Sequence, residues 1–222
     1  MGRLFLVRHG QASFGAANYD QLSPMGHRQC VRLGEYFHER GFAFEAVLTG
    51  TLQRHAQSYA AIAEGMQVQQ VPLLWPGLNE YDSHAVIATV HPQPLKKPDS
   101  PEMVRHHFRL LRDGLQKWMA GETQPAGMPS YAEFVAGVSG ALDHVRTRCS
   151  GDVLIVSSGG PISTAVGLLL NTPPETTIEL NLRIRNSSVT ELVYTPKRHA
   201  LVTYNTLPHL DGASFSDWVT HT

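Results

Sequence analysis

The sequence predicts an α/β fold: a three-layer α/β/α sandwich on a mostly parallel central sheet, with a cap insertion. Three observations carry this. Short apolar runs alternate with longer segments at helical spacing, the order that builds a parallel sheet with helices on both faces. The runs at residues 4–7 and 152–156 are almost wholly apolar, as strands covered on both faces are. A length of 222 residues suits one core of about 200 residues with an insertion. The chain is therefore read as one domain over residues 1–222, with a cap at about residues 85–130.

The elements follow in order. Residues 4–7 read as a buried strand and residues 11–21, small, polar and Gly-containing, as a loop. Ser23 and Pro24 start a helix as N-cap and first helical residue, and Cys30, Leu33, Tyr36 and Phe37 share its inner face up to Gly41. Residues 46–49 form a second strand, and Thr51 is expected to cap a helix running to Glu64. Residues 67–71 alternate as a third strand would, and 75–84 read as a loop. The prolines at 92, 94, 98 and 101 predict an irregular insertion from residue 85. A helix with a basic face spans 102–119, 121–129 is a linker, and Ser130 caps a helix to Arg148. The strand at 152–156 leads through Ser157-Ser158-Gly159-Gly160-Pro161 into a helix ending at Leu170. Residues 187–194 and 200–204 read as a hairpin turning at Pro196 and Lys197, and the tail from Leu207 as peripheral.

Composition narrows the function classes. With 18 Lys plus Arg against 19 Asp plus Glu, the chain lacks the charge excess of a nucleic-acid or membrane-surface binder. Cys30 and Cys149 stand in no metal-ligand spacing, so a cytoplasmic protein without a disulfide framework is expected. No run approaches the roughly 20 apolar residues of a membrane span. No Walker-type loop and no metal-spaced cluster of His, Asp or Glu is found, so neither cofactor nor metal is expected.

Four strand-to-loop junctions carry reactive residues. Arg8-His9-Gly10 closes the first strand, and Arg54 lies in the first turn of the helix after the second. Leu78-Asn79-Glu80 precedes the insertion, and the Gly159-Gly160 pair opens a helix where backbone N–H groups can meet an anion. Carboxyl ends of parallel strands are where α/β sheets place ligand chemistry. A histidine, two guanidinium groups, a carboxylate and a backbone nest make a kit for phosphoryl transfer.

These residues resemble the histidine phosphatase superfamily, in its phosphoglycerate-mutase-like branch, over nearly the whole chain. The RHG at residues 8–10 matches the family's signature. Leu22-Ser23-Pro24-Met25-Gly26 with Gln29 resembles its first helix start, and Leu52, Arg54 and Gln57 match its second. Leu78-Asn79-Glu80 and Asn186-Ser187-Ser188-Val189-Thr190 resemble two further segments. The resemblance implies that His9 attacks a phosphomonoester and forms a phosphohistidine, that Arg8 and Arg54 grip the phosphoryl oxygens, and that Glu80 is the acid. Gln11, Ser13 and Asn18 on the loop after RHG, with Ser158 and Gly159, are candidates for binding phosphate or substrate.

One departure stands out. The family carries a second histidine where this chain has Ser158, and losing one such donor typically costs about 10²–10³-fold in rate. Three readings stay open at this point. The chain is a working phosphatase with the gap filled by water or another side chain; or a weakened enzyme acting on a reactive phosphoryl donor; or a phosphoryl-binding or protein-interaction module. His55 is a conceivable substitute, but a helical step of about 100° turns it away from Arg54. Hydrolysis is preferred to mutase chemistry. The expected partner is a small phosphorylated metabolite or a phosphoprotein, with no nucleic acid and no membrane; a homodimer rests on analogy of fold alone. Lys96, Lys97, Arg105, Arg109 and Arg112 make the insertion basic, and Arg105, Arg109 and Arg112 share a helix face. That face reads as a solvated surface or as a reader of a second anionic group.

Overall fold

A computed structural model describes residues 1–13, 20–96 and 99–221. Among them, β1 (Gly2–Arg8), β2 (Ala46–Thr49), β3 (Leu73–Leu74), β4 (Val153–Ser157), β5 (Val189–Thr195) and β6 (Arg198–Thr206) form one six-stranded sheet in the order β3-β2-β4-β1-β5-β6. β4 pairs in parallel with β1 and β2, and β3 in parallel with β2. β5 and β6 extend the sheet antiparallel beyond β1.

Alternation along the central strands sends side chains to two cores. Leu4 and Leu6 of β1, with Val153 and Ile155 of β4, join one cluster with α5 (Tyr131–Arg148) and α6 (Gly159–Leu170). Phe5 and Val7, with Leu154 and Val156, join the other with α1 (Pro24–Glu39) and α2 (Gln53–Met66). Helices thus cover both faces, and the three-layer sandwich is the observed fold. The continuous burial of β4 explains its unbroken apolar sequence: it has no solvent face on which to place a polar residue.

Several expected boundaries hold and have their expected causes. The Ser23 side chain accepts the Gly26 N–H, with Pro24 opening α1. Ser130 and Glu133 form a reciprocal capping box at α5. The hairpin turns at Pro196 and Lys197 between β5 and β6.

Others are corrected. The third strand is Leu73–Leu74, not residues 67–71: Gln67 takes a left-handed conformation (φ 59°) to end α2, and pairing with β2 begins only at Leu73. Thr51 does not cap α2. Leu52 holds that position without a side-chain bond, and the carboxylate of Asp20 reaches across to accept the Gln53 N–H at 2.9 Å. The stretch read as loop and irregular insertion contains a 3₁₀ turn at Pro76–Leu78 and α3 (Ser83–Ala88), capped by Asp82, before α4 (Pro101–Met119). A seventh helix, α7 (Pro174–Arg183), escaped the sequence reading. Its Thr176-Thr177-Ile178 run has little helix preference, and burial of Thr177 and Ile178 beside α6 decides the matter. The tail is not peripheral. His209 and Leu210 are buried, and Trp218 O and Thr220 Oγ1 both accept from the Gln29 amide of α1. No helix among the described residues is long and apolar enough to cross a membrane.

Candidate active site

The carboxyl ends of β1, β2 and β4 lie side by side, and each launches one wall of the site. The parallel ladder pairs Arg8 with Ser157 and runs one step further, His9 N donating to Ser157 O at 2.8 Å. His9 is thereby set beside Ser158. From the other side Ser187 N donates to His9 O at 3.1 Å. The histidine's backbone is held on both flanks before its side chain does anything.

The His9 ring is 2% exposed, and its Nδ1 lies 2.7 Å from Gly10 O. A carbonyl only accepts, so Nδ1 carries the hydrogen and Nε2 of the neutral ring keeps its lone pair. Burial holds this imidazole well below its usual range, and the charges of Arg8 and Arg54 push the same way.

The two guanidinium groups come from different elements. Arg8 Nη1 donates to Ile184 O at 2.5 Å and to His221 O at 3.3 Å, so the C-terminal segment helps seat it. Arg54 Nη1 donates to Asp20 Oδ1 at 2.8 Å. Asp20 therefore aligns Arg54 while capping the helix that carries it.

Glu80 sits across the site on the loop after the 3₁₀ turn. Both its carboxylate oxygens lie within 3.2 Å of Gly160 N, and Oε1 also accepts from Tyr81 N. A Cβ at position 160 would overlap Glu80 Oε1 and the Tyr81 ring, so only glycine admits this approach. The loop is pinned by Asn79, which exchanges two 2.6 Å bonds with Thr51, and by Ser157 Oγ donating to Leu78 O at 2.6 Å. Burial raises the Glu80 carboxyl above its ordinary value; Gly160 N–H, Arg54 and Arg8 oppose that rise. Glu80 thus shares the field of both arginines.

The structure brings His9, Arg8, Arg54 and Glu80 into one electrostatic neighbourhood. The other predicted residues behave differently. Gln11 Oε1 accepts from Ser23 Oγ at 2.8 Å, and Ser13 Oγ donates to Leu22 O at 3.0 Å, so both side chains tie the loop to the start of α1. Asn18 and Lys97 lie outside the described residues. Gly159 packs against Asn181 and Ile184, and the Gly160 N–H meets the Glu80 carboxylate. Of the basic face on α4, Arg112 is committed to Glu179 of α7 at 2.5 Å, while Arg105 and Arg109 are exposed.

Ser158 and His55 depart most from expectation. Ser158 is fully buried, and its Oγ lies 2.7 Å from His55 Nε2. The His55 and His9 ring centroids are 5.9 Å apart. The 100° step that turns His55 from Arg54 sends it inward to the end of β4, because α2 lies across that strand. Asp20 was also missed; its one signal in the sequence is that it is the sole carboxylate of the loop at residues 11–21.

The chain matches the family model of the histidine phosphatase superfamily (branch 1) over residues 4–207. It is 32% identical over 85 residues to a broad-specificity phosphatase of Saccharomyces cerevisiae, an alignment covering 35% of this chain and 37% of that protein. Among solved structures, a phosphoserine phosphatase from Entamoeba histolytica in complex with 3-phosphoglyceric acid superposes with a TM-score of 0.67 at 19% identity, covering 95% of this chain and all (100%) of that one. A phosphoglycerate mutase from Bacillus anthracis gives 0.66 at 16% identity, covering 94% of each chain. These superpositions establish the likeness of fold.

Proposed function

Since the chain belongs to branch 1 of the histidine phosphatase superfamily, we propose that it hydrolyses phosphomonoesters without a metal, through a phosphohistidine on His9. The observation that carries this reading is the His9 ring itself: buried, uncharged, and fixed by Gly10 O so that Nε2 keeps a lone pair. A residue needed only to bind phosphate gains nothing from being held neutral.

The proposed reaction has two steps. His9 Nε2 attacks phosphorus, the phosphorus–oxygen bond to the leaving group breaks, and Glu80 gives its proton to the departing oxygen. Water then attacks phosphorus, the phosphorus–nitrogen bond breaks, and Glu80 takes a proton from that water. Arg8 and Arg54 offset the charge on the non-bridging oxygens throughout. Burial favours the protonated carboxyl at Glu80, which suits the first step. The position of Glu80 in the field of both arginines favours catalysis over phosphoryl binding alone, since a binding module has no use for an acid there.

We assign the substrate to small phosphorylated metabolites or phosphoproteins, with the segment at about residues 85–130 covering the site as a cap within one domain. The same reading puts the protein in the cytoplasm, with a homodimer as its assembly, and keeps Gln11, Ser13 and Gly159 as candidate contacts to phosphate or substrate.

The test is hydrolysis of a chromogenic aryl phosphate at pH 4–8 with chelator present, with His9→Ala as the blank. Turnover that vanishes in the variant, together with an acid-labile phosphoryl adduct trapped on the parent protein alone, supports the proposal. Turnover at the parent level in His9→Ala, or turnover abolished by chelator, would refute it.

A further inference from the structure

Two buried histidines have no part in the scheme above. His209 Nε2 meets Ser187 Oγ at 2.9 Å behind the backbone of His9, where it packs the tail against the sheet. His55 is on the reacting side, its ring plane tilted 39° to that of His9.

We propose that Ser158 and His55 act as one hydrogen-bonding unit in the phosphoryl site. Ser158 Oγ–H donates to a non-bridging phosphoryl oxygen, and His55 is its positioning residue, donating Nε2–H to Ser158 Oγ. This rests on the phosphohistidine reading of His9.

Placement comes first. Ser157 O already receives the His9 N–H, so the next residue along β4 stands beside the nucleophile. Ser158 is the residue before α6, where a serine ordinarily turns its oxygen back to the helix N–H groups. Here its side chain makes no such bond, and its oxygen turns to His55 instead.

The direction of that bond follows from the other ring nitrogen. His55 Nδ1 is buried and has no hydrogen-bond partner among the described residues. It faces the backbone of Gly50, where a Cβ would overlap it. A buried N–H without an acceptor is rarer and costlier than a lone pair without a donor. The hydrogen therefore sits on Nε2, and Ser158 Oγ accepts it. The hydroxyl keeps its own hydrogen, and no other side-chain bond of Ser158 is found among the described residues. Burial, with Arg54 adding to it, pushes His55 down to about 3, so the ring donates as a neutral imidazole across the physiological range.

The experiment measures kcat and KM on the aryl phosphate for Ser158→Ala, His55→Leu, the double variant and His55→Gln, whose amide nitrogen reaches the place of Nε2. Each of the first two is expected to lose about 10²-fold in kcat. The double variant loses no more than about 3-fold beyond either, because the pair works as a unit. His55→Gln stays within about 10-fold of the parent. A double variant that loses about 10⁴-fold, or an unchanged kcat in Ser158→Ala, overturns the proposal.

Two further measurements need no turnover, and the first of them needs no variant. Nitrogen-15 NMR of the parent protein is expected to show His55 neutral with its hydrogen on Nε2; a hydrogen on Nδ1 overturns the proposal. Orthovanadate is expected to bind Ser158→Ala about 10-fold more weakly than the parent; equal affinity overturns it. Absence of His9-dependent turnover with these two results intact would remove the reaction and leave the donor pair standing.

Discussion

Lowering the pH from 7 to 5 destabilises this fold through its buried histidines, and the share of each can be worked out. His55 and His209 are both pushed from 6.5 to about 3 by burial, with Arg54 near the first and Arg32 near the second adding to the effect. Below pH 6.5 the unfolded chain protonates both rings, while the folded chain leaves them neutral down to about 3. The unfolded state binds more protons throughout that window. Stability is complete above it and falls as the pH drops. From pH 7 to 5 each ring costs about 2 kcal/mol. His9, held low by the same burial, acts in the same sense. Glu80 acts in the opposite sense, since its carboxyl is raised in the fold. Glu45, Glu133 and Glu179 are lowered in the fold and add to the loss in the same sense, chiefly below pH 5. His55→Gln removes one ring and leaves the other groups in place, so a comparison with the parent isolates it. Urea unfolding at both pH values is the assay. The parent should lose about 2 kcal/mol more than the variant between pH 7 and 5. Equal losses would refute the buried, neutral state of His55.

Two further predictions concern the acid. Gly160→Ala puts a methyl group into the Glu80 carboxylate and the Tyr81 ring; aryl phosphate kinetics should show kcat falling by about 10²-fold or more, and thermal unfolding a loss of about 1–3 kcal/mol. A dianionic substrate offsets the arginine charges that now hold the Glu80 carboxyl down, so that carboxyl should rise on binding and stay protonated to higher pH. The basic limb of kcat should therefore lie at higher pH than that of kcat/KM, and coincident limbs would show that Glu80 does not feel the bound phosphate.

What the sequence makes legible is what local chemistry decides. β4 reads as a central strand because every residue in it is buried, and α1 begins where Ser23 and Pro24 say it must. His9, Arg8, Arg54 and Glu80 stand at strand ends, where an α/β pattern already places chemistry. The failures are long-range. Asp20 caps α2 across 33 residues, which Thr51 in the local sequence cannot reveal. α7 forms because Thr177 and Ile178 find α6, against their own preference. His55 and Ser158 meet across 103 residues. Each looked out of place alone, a bulky ring in the first turn of a helix and a hydroxyl where an imidazole is expected. Together they form one hydrogen-bonded pair between α2 and the end of β4.

In the proposed reaction the same physical agent acts on both ends. Removing water from the site penalises charge of either sign, so it lowers the His9 imidazole and raises the Glu80 carboxyl. That is the pairing the first step needs, a base with a lone pair facing an acid with a hydrogen. The arginines do not act evenly on the two. Their positive charge reinforces the neutrality of His9 and works against that of Glu80. In the empty site the acid is therefore the less secure partner, and Gly160 N–H and Tyr81 N–H, both pointing at the carboxylate, weaken it further. A bound phosphate reverses this balance, because its negative charge is nearest the groups that pull the proton off Glu80. On the proposed reading a bound phosphoryl group strengthens the protonation of Glu80 that burial already favours, which ties proton loading to occupancy.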